Sequence, residues 1–131
     1  MRKWIVLLGL AILLLGTAGS VAASPPRTFA RFMPIDNSGV TGVVVLQQLS
    51  QGGTALAVDV HGLTPGTQYI SLYYDNSDCT LPGDVFTIYH PNARGIAHST
   101  GFADDDLSEI YSVSVRSPDE QTIYACATVQ Q

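Results

Sequence analysis

Clusters of Gly, Pro, Asn and Asp recur through residues 24–131 and leave no uninterrupted stretch with a helical repeat. Between them lie short runs rich in β-branched and aromatic residues, the composition that suits a pleated, half-buried surface. Strands are predicted near Thr28–Pro34, Val40–Leu49, Thr54–Leu63, Gln68–Asp75, Asp84–Pro91, Ile96–Ala103, Ile110–Arg116 and Gln121–Gln130. Period-two alternation is cleanest at Leu56, Val58 and Val60, which are expected to face inward while Asp59 and His61 face out. In the next strand Ile70 and Leu72 are assigned to the core and Ser71 and Tyr73 to the opposite face. Turns are placed at Asn37-Ser38-Gly39, Gln51-Gly52-Gly53, Thr64-Pro65-Gly66 and Asn92-Ala93-Arg94-Gly95. The fold class expected is all-β: an antiparallel Greek-key β-sandwich or flattened barrel of about eight strands.

The Asn92–Gly95 turn predicts more. A type I turn followed by Gly95 in the left-handed conformation makes a three-residue hairpin loop with a bulge. That register pairs Asn92 with Ile96 and sets His90 directly opposite His98.

The N-terminal segment predicts export. Arg2 and Lys3 are followed by an apolar run from Trp4 to Gly16, then by small residues up to Ala23 and the pair Pro25-Pro26. Charge, a short apolar run and small residues are the parts of a secretory signal. Residues 1–23 are therefore expected to be a signal peptide cleaved after Ala23, with Ala22 as the alternative, and residues 24–131 to form one domain. An uncleaved anchor is the competing reading, although the apolar run is shorter than the ~20 residues that span a bilayer. The expected address is secreted or extracytoplasmic, in the cell envelope, with no membrane span once the signal is removed.

Beyond that segment the chain has no lysine, and Arg27, Arg31, Arg94 and Arg116 stand against eleven carboxylates. Such a surface repels phosphate backbones, which argues against nucleic acid and anionic membranes as partners. Two cysteines in an exported chain read first as a disulfide, Cys79 to Cys126, with a catalytic thiol as the alternative.

Gly62-Leu63-Thr64-Pro65-Gly66, followed by a strand and then Cys79, resembles the copper/zinc superoxide dismutase family. So does Tyr124-Ala125-Cys126-Ala127-Thr128-Val129, which is similar to that family's last strand, and Gly42-Val43-Val44 with Thr54–Val60 fits its opening hairpin. The resemblance implies the same scaffold and places Cys79 and Cys126 where the family has its disulfide. It also implies metal ligands that this chain lacks. Ser71, Leu72 and Tyr73 stand where the family has the His-Val-His copper ligands, and the stretch Thr80–Asp84 has no His in place of the zinc loop. His90-Pro91-Asn92 only echoes the bridging-His segment. Ser114-Val115-Arg116 has no copper His, and Ile123 stands where the family has its substrate-guiding Arg.

The reading that follows is an exported, non-catalytic module of this scaffold that binds an extracytoplasmic protein or surface ligand. The tyrosine-bearing strand is one candidate face if Tyr69, Ser71 and Tyr73 share an exposed side; packing under a loop is the alternative for these tyrosines. No cofactor is expected. The alternatives are a degenerate dismutase or metal carrier holding copper or zinc at a residual site made by His90 and His98, and a chordin-type module, whose usual His segment is also missing. The acidic run Asp104-Asp105-Asp106 with Glu109 has no calcium-loop spacing and is read as solvated carboxylates capping a short turn.

Overall fold

A computed structural model describes residues 25–130, so the expected signal segment lies outside the described residues. Eight strands form: β1 Arg27–Pro34, β2 Thr41–Gln48, β3 Thr54–His61, β4 Tyr69–Tyr74, β5 Asp84–Tyr89, β6 Ala97–Ala103, β7 Ser112–Arg116 and β8 Ile123–Thr128. All the ladders are antiparallel, and the strands form one sheet in the order β5-β4-β7-β8-β1-β2-β3-β6 that curls into a nearly closed barrel. A single 3-10 turn, Leu107–Glu109, is the only helical element among the described residues. Asp106 and Glu109 cap it: the Asp106 N–H donates to Glu109 Oε1 at 3.1 Å, as expected for the acidic run.

The sheet has a narrow waist. β1 and β8 share only the pairs Met33–Cys126 and Pro34–Ala125, so the barrel divides into two four-stranded halves, β6-β3-β2-β1 and β5-β4-β7-β8. At the other seam β5 and β6 lie against each other through side chains, Thr87 hydrogen-bonding Ser99. Gly101 makes that approach possible, because a Cβ there would run into the Phe86 carbonyl.

Alternation fills the interior. Val44 and Leu46 on β2, and Leu56, Val58 and Val60 on β3, meet Val113 and Val115 on β7 and Ala125 and Ala127 on β8, all at 2% exposure or less. Burying each such Val or Leu side chain is worth about 1.5–3 kcal/mol. The inward set of β3 is the one that its alternation predicts.

β4 reverses the expected faces. Tyr69 and Tyr73 point into the main core, and Ile70, Leu72 and Tyr74 form a second cluster with Cys79, flanked by Ile123 and Cys126. Every residue of β4 is buried, because the disulfide loop covers its outer side. A strand covered on both faces has no polar side for alternation to mark.

The Asn92–Gly95 turn forms as predicted. The Asn92 N–H donates to the Ile96 carbonyl at 2.9 Å, and Gly95 adopts φ +75°. Beyond the turn no backbone ladder joins β5, which ends at Tyr89, to β6, which begins at Ala97; the two strands form opposite ends of the sheet, and His98 pairs across it with Asp59 of β3.

Candidate binding face

The two halves differ in what lies outside them. On β5-β4-β7-β8, the loop after β4 is tied down by the disulfide Cys79–Cys126, closing a separation of 47 residues. Arg116, only 6% exposed, fastens the same loop. Its Nε donates to Tyr74 Oη, its Nη1 to the Glu120 carbonyl and its Nη2 to the Cys79 carbonyl, each at 2.8 Å. Tyr74 Oη also hydrogen-bonds Ser114 Oγ at 2.6 Å. A buried guanidinium satisfied by neutral oxygens is a structural clamp, since an unmatched buried donor is costly.

The proposed tyrosine face belongs to this covered half and is not a surface. Tyr69, Ser71 and Tyr73 are 3%, 0% and 8% exposed. Ser71 Oγ hydrogen-bonds Tyr89 Oη at 2.8 Å, and Tyr69 Oη accepts from the Thr64 N–H at 2.9 Å. Tyr69 stacks on Tyr89 and meets Tyr124 edge-on. Burial pushes the Tyr89 hydroxyl well above the usual phenol range, partly opposed by its bond to Ser71. Tyr73 is raised too, first by burial and then by Asp84, Asp105 and Asp104. These tyrosines fill the barrel interior, where their hydroxyls need and find partners.

The outer face of β1, β2, β3 and β6 is bare. Register sets its side chains in rows across the strands: Arg27, Gln47, Ala55 and Phe102; then Phe29, Val45, Ala57 and Thr100; then Arg31, Val43, Asp59 and His98. Phe29 and Met33 are each 64% exposed and Phe102 is 73% exposed. Large apolar side chains in solvent on one sheet face, rimmed by charge, are a feature of interaction surfaces. Arg27 and Arg31 both lie here, so among the described residues two of the three arginines outside the clamp share this face.

At its far side sits a group that the sequence reading missed. Asp59 Oδ1 lies 3.1 Å from His61 Nε2 and 3.3 Å from His98 Nδ1. Neither ring aims an N–H at that oxygen, which is itself shielded from solvent and has no hydrogen-bond partner. His98 is thus gathered with His61 around Asp59, and His90 is exposed beyond the end of β5. The signal was present: Asp59 and His61 are two apart on the alternating strand and so share a face. Their cross-strand neighbour was not readable without the sheet order. Among the described residues no three His, Cys, Asp or Glu side chains are arranged to hold a metal ion. The two imidazoles surround an oxygen, not a common vacant point.

No helix among the described residues is long and apolar enough to cross a membrane. Compared with known proteins, the chain matches no family model and no curated protein.

Proposed function

We propose that this chain is an exported β-barrel module, similar in scaffold to the copper/zinc superoxide dismutases, that has no dismutase chemistry and works by binding through the outer face of β1, β2, β3 and β6. The observation that carries this reading is the set of most exposed aromatic side chains on that face. Phe29 and Met33 stand in solvent on β1 beside Arg27 and Arg31, and Phe102 stands on β6, next to the strand that carries Asp59. Val85 and Ile88 on β5 are exposed on the other half but have no arginine in their strand. Ser71, Leu72 and Tyr73, which align with the dismutase ligand strand, are packed and hydrogen-bonded into cores. The disulfide fits an oxidising, extracytoplasmic address.

A photo-crosslinking residue at Phe29, introduced in cells that export the chain, tests the reading. Crosslinks are expected at Phe29 and not at Gln121, an exposed loop position on the other half. No crosslink at Phe29 overturns the proposed face. Stoichiometric copper in protein purified without added metal, together with measurable superoxide dismutation, overturns the non-catalytic part.

A further inference from the structure

We infer that the partner of this face is a second copy of the chain, docked sheet on sheet about a two-fold axis running along β2. This rests on the binding-module reading above and names its partner.

Strand β2 lies between β1 and β3, and the three share rows: Phe29 is level with Val45 and Ala57, and Arg31 with Val43 and Asp59. A two-fold axis along β2, lying in the plane of contact, exchanges β1 of one copy with β3 of the other and returns each row to itself. Phe29 then falls over Ala57 of the second copy, a large ring over the smallest side chain of its row. Arg31 falls over Asp59 of the second copy, a cation over a carboxylate. Val43 and Val45 meet their own counterparts on the axis. Size and charge are therefore self-complementary under a single operation, which is the condition for an isologous interface. Sheets that pack face to face keep their strands within about 30° of one another, so the rows stay matched near the axis.

Charge favours this face over others. The chain carries a formal charge of −5, and two acidic copies repel wherever carboxylates meet. Here each copy offers Arg31 to Asp59, whose Oδ1 is held between His61 and His98 and whose side chain is 41% exposed. Arg27 adds a second cation on β1, level with Gln47 and Ala55.

Size sets the strength. Strands about 4.8 Å apart with rows about 6.8 Å apart describe a patch on the order of 400 Å² per copy. That is about 800 Å² in total, below the ~1,000 Å² that a stable interface clears, so the expected dimer is weak and transient, with a dissociation constant on the order of 100 µM.

The test is sedimentation velocity of the exported chain from about 1 µM to about 1 mM, bracketing that constant. The parent protein is expected to shift from monomer to dimer. Phe29→Asp, which sets a charge over Ala57 and Val45, is expected to weaken association about 100-fold or more. Arg31→Asp and Asp59→Arg each bring like charges together and are expected to weaken it at least about tenfold. The double variant Arg31→Asp/Asp59→Arg restores the pair with its sign reversed and is expected to return to within about threefold of the parent. Far-UV circular dichroism checks that each variant is folded.

A parent protein that stays monomeric at the highest concentration overturns the inference. So does a dimer indifferent to Phe29→Asp, or a double variant no better than its singles. If the parent is monomeric while Phe29 crosslinks in cells to a different protein, the second copy is wrong and the binding face stands. If Phe29 crosslinks to nothing, the face itself fails.

Discussion

The two halves of the barrel solve opposite problems. In β5-β4-β7-β8 the two central strands, β4 and β7, are buried along their whole length, the outside being closed by the disulfide loop and the Arg116 clamp. In β6-β3-β2-β1 each strand buries one side and leaves the other to solvent, where Phe29 and Phe102 stand out. A small domain has limited core, so covering one half twice adds stability there. The other half keeps its outer face free for contact. The double cover stabilises one side of the barrel, and the proposed contact surface lies on the other, so each can be broken separately.

The largest effect is expected from the covered half. Replacing Cys79 and Cys126 together with Ser removes a cross-link spanning 47 residues. In the chain-entropy model this costs about 4 kcal/mol of unfolding free energy, measured by urea titration. A loss below about 1 kcal/mol would mean that the loop is held mainly by other contacts. Arg116→Met comes next. It leaves the Cys79 and Glu120 carbonyls and the Tyr74 hydroxyl each short of a donor, at an expected cost of about 3 kcal/mol. Hydrogen exchange should show residues 75–83 losing protection before the strands of the other half do. Uniform loss across both halves would show that the clamp is not local.

The same division explains what was legible in the sequence. Strand positions were, because turn residues and β-branched runs bracket each one, and the Asn92–Gly95 turn could be read down to Gly95's left-handed backbone. The inward face of β3 was legible because Asp59 and His61 label its outer side. The faces of β4 were not. Ile70, Leu72 and Tyr74 are as apolar as a core should be, and only the loop lying over them reveals that they form a second, outer cluster. Ser71 looked polar and therefore exposed, whereas its hydroxyl is spent inside on Tyr89. The ladder partner of His98 was not legible for a related reason: a hairpin turn fixes the local register but does not decide which neighbour a strand will hydrogen-bond along its length. The sheet order, with β6 beside β3, brings His98 to Asp59 and His61.

Tyr89→Phe probes the interior that the tyrosines fill. It removes one hydrogen bond and leaves Ser71 Oγ buried without its partner, at an expected cost of about 1.5 kcal/mol near neutral pH. The pH dependence has a definite sign. Burial holds the Tyr89 proton to a pH well above the value of about 10 for an unfolded tyrosine. Above that pH the folded chain keeps a proton that the unfolded chain releases, so raising pH favours unfolding. The stability tied to this group is complete below about pH 10 and is lost as pH rises toward the raised folded value. The parent should therefore lose stability in alkali faster than Tyr89→Phe, and the gap between them should narrow above about pH 10. Parallel curves would place Tyr89 in water, against its position in the core.

The smallest effect is expected on the bare face, and it separates the two roles most directly. Leu56 and Phe102 lie one row apart where β3 meets β6: Leu56 pairs with Gly101, and Ala55 with Phe102. Leu56 is 2% exposed and Phe102 is 73% exposed. Truncating Leu56 to Ala opens a cavity in packed surroundings and should cost about 3 kcal/mol. Phe102→Ser removes a larger side chain from the adjacent strand and should change the unfolding free energy by less than about 0.5 kcal/mol in dilute protein. Apolar bulk alone would rank these two substitutions the other way, so the measurement reports on exposure. A phenylalanine that is kept in solvent without stabilising the fold has its energetic value in contact with another surface. If Phe102→Ser instead proves as costly as Leu56→Ala, that side chain is covered within the single chain, and the division between a stabilised half and a recognising half fails on this face.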